Sequence, residues 1–91
     1  MTDTKISQAE RAAIDAVRWL AVRGGWVRAR EVAERTGQTE QGAALVLSSC
    51  KRKELVWRNT GRGHVWFSLT GRGWALARPR TQQARAARPI G

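Results

Sequence analysis

Lysine and arginine are the residues of this chain best placed to do chemistry, and that chemistry is ion exchange with a polyanion. Residues 51–91 carry ten of them (Lys51, Arg52, Lys53, Arg58, Arg62, Arg72, Arg78, Arg80, Arg85, Arg88) against one acid, Glu54, a net charge of +9. Residues 1–50 carry seven against six acids, a net of +1. Each phosphate that a Lys or Arg neutralises releases condensed counterions, so such a segment suits a phosphate polymer. Fourteen of the seventeen basic residues are Arg, whose planar guanidinium meets phosphate or guanine through two parallel hydrogen bonds. Bond-making chemistry has little behind it. His64 is the one histidine, placed at a loop away from any nucleophile, where touching a phosphate is the most it offers. Cys50 has basic neighbours that would lower a thiol pKa, but its helical phase turns it inward as a small core residue. One Cys and one His cannot build a zinc site without other ligands. Gly61-Arg62-Gly63 does not follow a strand and open a helix, as a nucleotide loop would. No catalytic residue, metal site or cofactor is expected.

Length and composition bound what must position those charges. Ninety-one residues make one domain with a core too small for an elaborate buried active site. A hydrophobic share of 42% suits a globular fold. No apolar run approaches the roughly 18 residues that span a bilayer, and Met1-Thr2-Asp3-Thr4-Lys5 is not a signal peptide. A single cysteine fits a reducing cytosol. A cytoplasmic, nucleoid-associated chain without a membrane partner is expected.

The pattern predicts a mainly α chain with a small β-hairpin (α+β). Ser7 to about Arg23 reads as a first helix, with Ser7 and Glu10 as a capping box. Ile6, Ala13, Val17 and Leu20 form its apolar stripe, joined by Ile14 and Ala21, and Gly24-Gly25 stops it. Trp26-Val27-Arg28 is a short extended stretch. A second helix fits Ala29 to Thr36, broken by Gly37. A third fits Thr39 to Lys53, with Thr39 as N-cap, Glu40 in the first turn and Ala43, Val46, Leu47 and Cys50 inward. Leu55–Asn59 and His64–Leu69 read as strands joined by Thr60-Gly61-Arg62-Gly63. Pairing Asn59 with His64 sets Trp57 opposite Trp66, with Val65, Phe67 and Leu69 on one face. Thr70 to Ala77 reads as a last short helical turn, with Trp74 and Leu76 docking back. Trp26 and Trp74 are expected to close the core. Residues 1–77 form the domain; 78–91 read as a basic Arg/Ala-rich tail, disordered or conditionally helical.

The order helix, helix, turn, helix, hairpin resembles a winged helix-turn-helix. Val32-Ala33 before Gly37, then Ala43 and Val46, fit two closely crossing helices. The stretch Leu55-Val56-Trp57-Arg58 … Phe67-Ser68-Leu69-Thr70-Gly71-Arg72-Gly73 looks like the wing of MarR-like and PadR-like bacterial or phage regulators, where a Leu-Val-type pair opens the wing and Leu-Thr-x-x-Gly closes it. The resemblance covers residues 10–77. Gln38 departs from it, standing where an apolar turn residue is usual, and so does Glu54, standing where a glycine is. Ninety-one residues leave no room for the long dimerising helices or the ligand pocket of the MarR-like proteins.

The resemblance implies three helices with a two- or three-stranded antiparallel sheet, and sequence-specific binding of double-stranded DNA by a transcriptional regulator acting through site occupancy. The third helix would enter the major groove, with Gln38, Thr39, Gln41 and Gly42 near base edges and Leu45 and Ser49 further along. Thr39 serves as cap, base contact or both. Arg30, Lys51 and Arg52 would clamp the DNA backbone, Arg58 and Arg62 would carry the wing to phosphate or minor groove, and His64 would touch a phosphate. A homodimer is expected, since one unit reads only a short half-site. Two rivals stand beside this reading. Trp57 and Trp66, with Trp19 off its helix's main stripe, would form a surface for a second subunit or a protein partner, though a cross-strand aromatic pair also accounts for the first two. RNA binding is the other, with exposed Trp stacking on bases.

Overall fold

The computed structural model describes residues 5–21 and 25–87. Five helices and one hairpin follow in the order α1 (Gln8–Leu20), α2 (Ala29–Thr36), α3 (Glu40–Arg52), β1 (Val56–Gly61), β2 (His64–Leu69), α4 (Gly71–Leu76) and α5 (Arg80–Ala87). Local chemistry sets the helix starts. The Ser7 hydroxyl accepts from the Glu10 amide while Glu10 accepts from the Ser7 amide, closing the expected capping box. Thr39 caps α3 by accepting from the Gly42 amide, and Thr70 caps α4 through Gly73. Gly37, at φ 75°, ends α2 in the left-handed region that glycine tolerates. α1 ends at Leu20, short of the predicted Arg23; the expected stop at Gly24 lies outside the described residues.

The core gathers Ile14 and Val17 of α1, Val32 of α2, Leu47 and Cys50 of α3, and Leu55, Val56 and Phe67 around the hairpin, all buried. α4 packs in because residue 73 is glycine: a Cβ there would sit 1.9 Å from the Leu55 carbonyl oxygen.

The hairpin differs from its predicted register. Asn59 pairs with Trp66, Trp57 with Ser68, and Gly61 with His64. Thr60 and Gly61 belong to β1, so the turn is only Arg62-Gly63, with φ 52° and 78°. Positive φ at both central residues matches the twist of the flanking strands. Trp57 and Trp66 are therefore diagonal neighbours on one face, not direct partners. Val27 adds an isolated antiparallel bridge to Phe67 and makes a third strand of minimal length.

One further expectation is corrected, and the tail follows the helical of its two expected forms. Trp26 is 45% exposed and does not close the core. Arg80–Ala87 is helical, and Gln83 within it is buried, its side-chain amide donating to the carbonyls of Asp15 and Arg78. The fold therefore continues past residue 77; the tail's last part, 88–91, lies outside the described residues.

Candidate nucleic-acid interface

α3 is the element whose two faces differ most. Ala43, Leu47 and Cys50 are buried against α1 and α2, while Glu40, Gln41, Leu45 and Ser48 point to solvent, Leu45 at 67% exposure. Between this outer face and the hairpin runs a groove of about 570 Å³. Gln41, Ala44 and Ser48 line its helix side, Arg58, His64 and Val65 its hairpin side, and Arg28 its end next to α2. Glu40 lies at the same groove and leads the first turn of α3, where the helix dipole favours an acid. The groove thus pairs an uncharged, exposed helix face with cations from two other elements.

The sequence-derived residues separate into groups. Gln41, Arg58 and His64 meet at the groove. Leu45 is exposed on the same helix, and Arg62 is exposed at the turn beyond the groove. Thr39 is exposed and holds the N-cap. Gln38 is half-buried in the α2–α3 turn, where its side-chain oxygen accepts from the Thr36 hydroxyl. Arg30 is exposed on α2 in a loose pair with Glu34 at 3.7 Å. Lys51 and Arg52 are exposed at the far end of α3, roughly 15 Å along the axis from Gln41.

Ser49 does not join the outer face. Its hydroxyl donates to Glu10, the centre of a buried cluster between α3 and α1. Lys53 donates to the same carboxylate at 2.7 Å. Burial alone would raise the Glu10 carboxyl, but the hydrogen bonds from Lys53, Ser49 and Ser7 outweigh it and hold it down at about 2. Neighbouring Cys50 is pushed up to about 12 by burial and by the Glu10 charge.

The tryptophans are placed individually. Trp19 is half-buried, with the guanidinium carbons of Arg35 and Arg80 at 3.8 and 4.6 Å from its ring centre. Trp66 is half-buried and Trp57 is 61% exposed. Arg28 is the groove residue that sequence reasoning missed. Alternation from the inward Val27 puts Arg28 on the outer face of the sheet, so residue spacing alone gave no sign that its side chain also lines the groove.

Three packed helices with a hairpin wing on the third define a winged helix-turn-helix. BpsR of Bordetella bronchiseptica, whose DNA binding is regulated by 6-hydroxynicotinic acid, superposes with a TM-score of 0.68 at 24% identity, covering 84% of this chain and 53% of its own. The PcaV transcriptional regulator of Streptomyces coelicolor, solved with its natural ligand, gives 0.66 at 21% identity, covering 94% of this chain and 60% of its own. Both are MarR-family regulators, the group whose wing the sequence resembles. The chain thus spans little more than half the length of these solved structures. No protein-family model matches the sequence, and no curated protein does either. Among the described residues no helix is long and apolar enough to cross a membrane.

Proposed function

We infer that the chain binds double-stranded DNA, with α3 in the major groove and the wing on the flanking backbone or minor groove, and that it regulates transcription by occupying its site. The groove between α3 and the wing carries this reading. Its helix wall offers an amide in Gln41, which can pair with adenine, with Leu45 nearby for a thymine methyl. Its cations, Arg28 and Arg58, supply the salt-dependent part of the affinity. Specificity and affinity then come from different elements, which answers the lack of positive charge between Gln41 and Cys50. A homodimer on a two-fold site, at the nucleoid, completes the reading.

Selection of bound sequences from a random duplex pool tests it. Recovery of a two-fold site is expected. A pool that stays random through repeated rounds contradicts base readout by α3, and a site without symmetry contradicts the dimer.

A further inference from the structure

Apart from Arg28 and His64, which also line the groove, the outer face of the small sheet takes no part in the duplex reading. Val27 and Phe67 exchange two backbone hydrogen bonds of 2.8 and 2.7 Å, and both side chains are buried. Alternation therefore turns Trp26, Arg28, Trp66 and Ser68 to the other face, and the β1–β2 register adds Trp57 opposite Ser68. Ser68 sits between two indoles, Trp57 on one side and Trp26 on the other, and is only 4% exposed. The backbones that carry them stand roughly 9.5 Å apart, two strand spacings. Trp66 occupies the next row, with the Arg28 guanidinium carbon 5.7 Å from its ring centre and the His64 ring edge-on at 6.5 Å.

A lone exposed tryptophan is ordinary, but three indoles on one solvent-facing patch mark a contact surface. Its charges select the occupant. Arg28 lies on the patch, and Lys51 lines the hollow beside Trp57. Glu54 lines that hollow too, while Glu31 is held at the α2 cap by the Arg28 amide. A second copy of this chain would bring the same cations and another net charge of +10 against them. A nucleic-acid strand brings the opposite charge and flat π-faces. Stacking needs unpaired bases, so a duplex does not satisfy it. We propose that this face is a second nucleic-acid site, for single strands: Trp26, Trp57 and Trp66 stack about two or three unpaired bases, and Arg28 and Lys51 meet the backbone. Stacking is tolerant of base identity, so this site carries no sequence code.

The test titrates the full chain with twenty-nucleotide oligothymidylate, oligouridylate and an abasic chain of equal length, following tryptophan fluorescence and anisotropy. Quenching is expected with both base-bearing strands, each bound more tightly than the abasic chain. Trp57→Ala and Trp26→Ala should each weaken strand binding by about ten-fold, while keeping the melting temperature and duplex binding. Equal affinity for the abasic chain, or unchanged binding by the double variant, overturns the proposal. So does parallel loss of duplex binding, which would merge the two sites. A dimer that Trp57→Ala dissociates, with no strand binding in either form, would assign the face to a second copy instead.

Discussion

The side of the molecule built from α1, α4 and α5 and the side built from α3 and the wing use the same residue type for opposite ends. On the first, Arg11 donates to the Leu76 carbonyl, and Arg18 to those of Trp74 and Ala77. These carbonyls end a six-residue helix that has no basic residue in its own last turn, so α1 supplies the missing cap from a distance. Arg78 pairs with buried Asp15 at 2.9 Å. On the second side, the side chains of Lys51, Arg52, Arg58 and Arg62 have no hydrogen bond or ion pair among the described residues. Even the run Lys51-Arg52-Lys53 divides, since Lys53 is spent on Glu10. Counting charge along a chain therefore overstates an interface: cations that fold the protein and cations open to a partner look alike until their acceptors are known.

Variants on the two sides should separate cleanly. Glu10→Ala strands Lys53 and removes the Ser7 box, and should cost about 3 kcal/mol, the lower end for breaking a buried pair because Lys53 is partly exposed. Calorimetry should show a melting temperature lower by about 10 °C or more, with duplex affinity of the folded protein retained. The same group predicts an acid limb. Folded Glu10 titrates at about 2 against an ordinary 4.5, so the folded state binds fewer protons between these values. Its stabilisation is complete above pH 4.5 and is lost as the pH falls toward 2. Glu10→Gln should flatten that limb in acid-unfolding curves.

Arg58→Ala with Arg62→Ala should do the reverse, leaving melting unchanged while weakening duplex binding at every sequence. The logarithmic salt dependence should become shallower by up to about two phosphates' worth. An unchanged slope would take the wing off the DNA. Gln41→Ala should relax preference at one base position by roughly 1–3 kcal/mol, read by comparing single-base variants of the selected site; a uniform loss contradicts direct readout. Deleting residues 79–91 touches both sides at once. Losing the Gln83 hydrogen bonds should cost about 1 kcal/mol in melting. Losing the positive charge of this segment should lower duplex affinity mainly at low salt, without reordering sequences. The smallest effect falls at the joint between α3 and the wing. Glu54 has φ 60°, so Glu54→Gly should stabilise the fold by up to about 1 kcal/mol, visible as a small rise in melting temperature.

Glu54 also shows what was legible. Its place is one where wings of this type usually hold glycine, and its left-handed backbone is the reason. The bounds of α2, the caps at Ser7 and Thr39, and the inward face of α3 all follow from residue type and helical spacing. The register did not, because Arg62 at positive φ is no turn signal and Thr60-Gly61 looked like loop. The docking of α5, read only as a conditional helix, escaped because Gln83, a polar side chain, docks it without an apolar stripe. Asp15 escaped likewise, as a carboxylate whose partner lies 63 residues away. The places of Gln41 and Arg58 along the groove were legible from the fold resemblance. Ser49 was misread because sequence spacing gave no sign that its hydroxyl turns to Glu10.

Cys50 lies fully buried in α3, its thiol donating to the Glu10 carbonyl oxygen and raised to about 12. At neutral pH such a thiol stays protonated, and no reagent reaches it while α3 rests on α1. The single cysteine is thus a built-in clock of opening. Each labelling event records one parting of these helices, and a duplex that grips α3 should make the clock run slow.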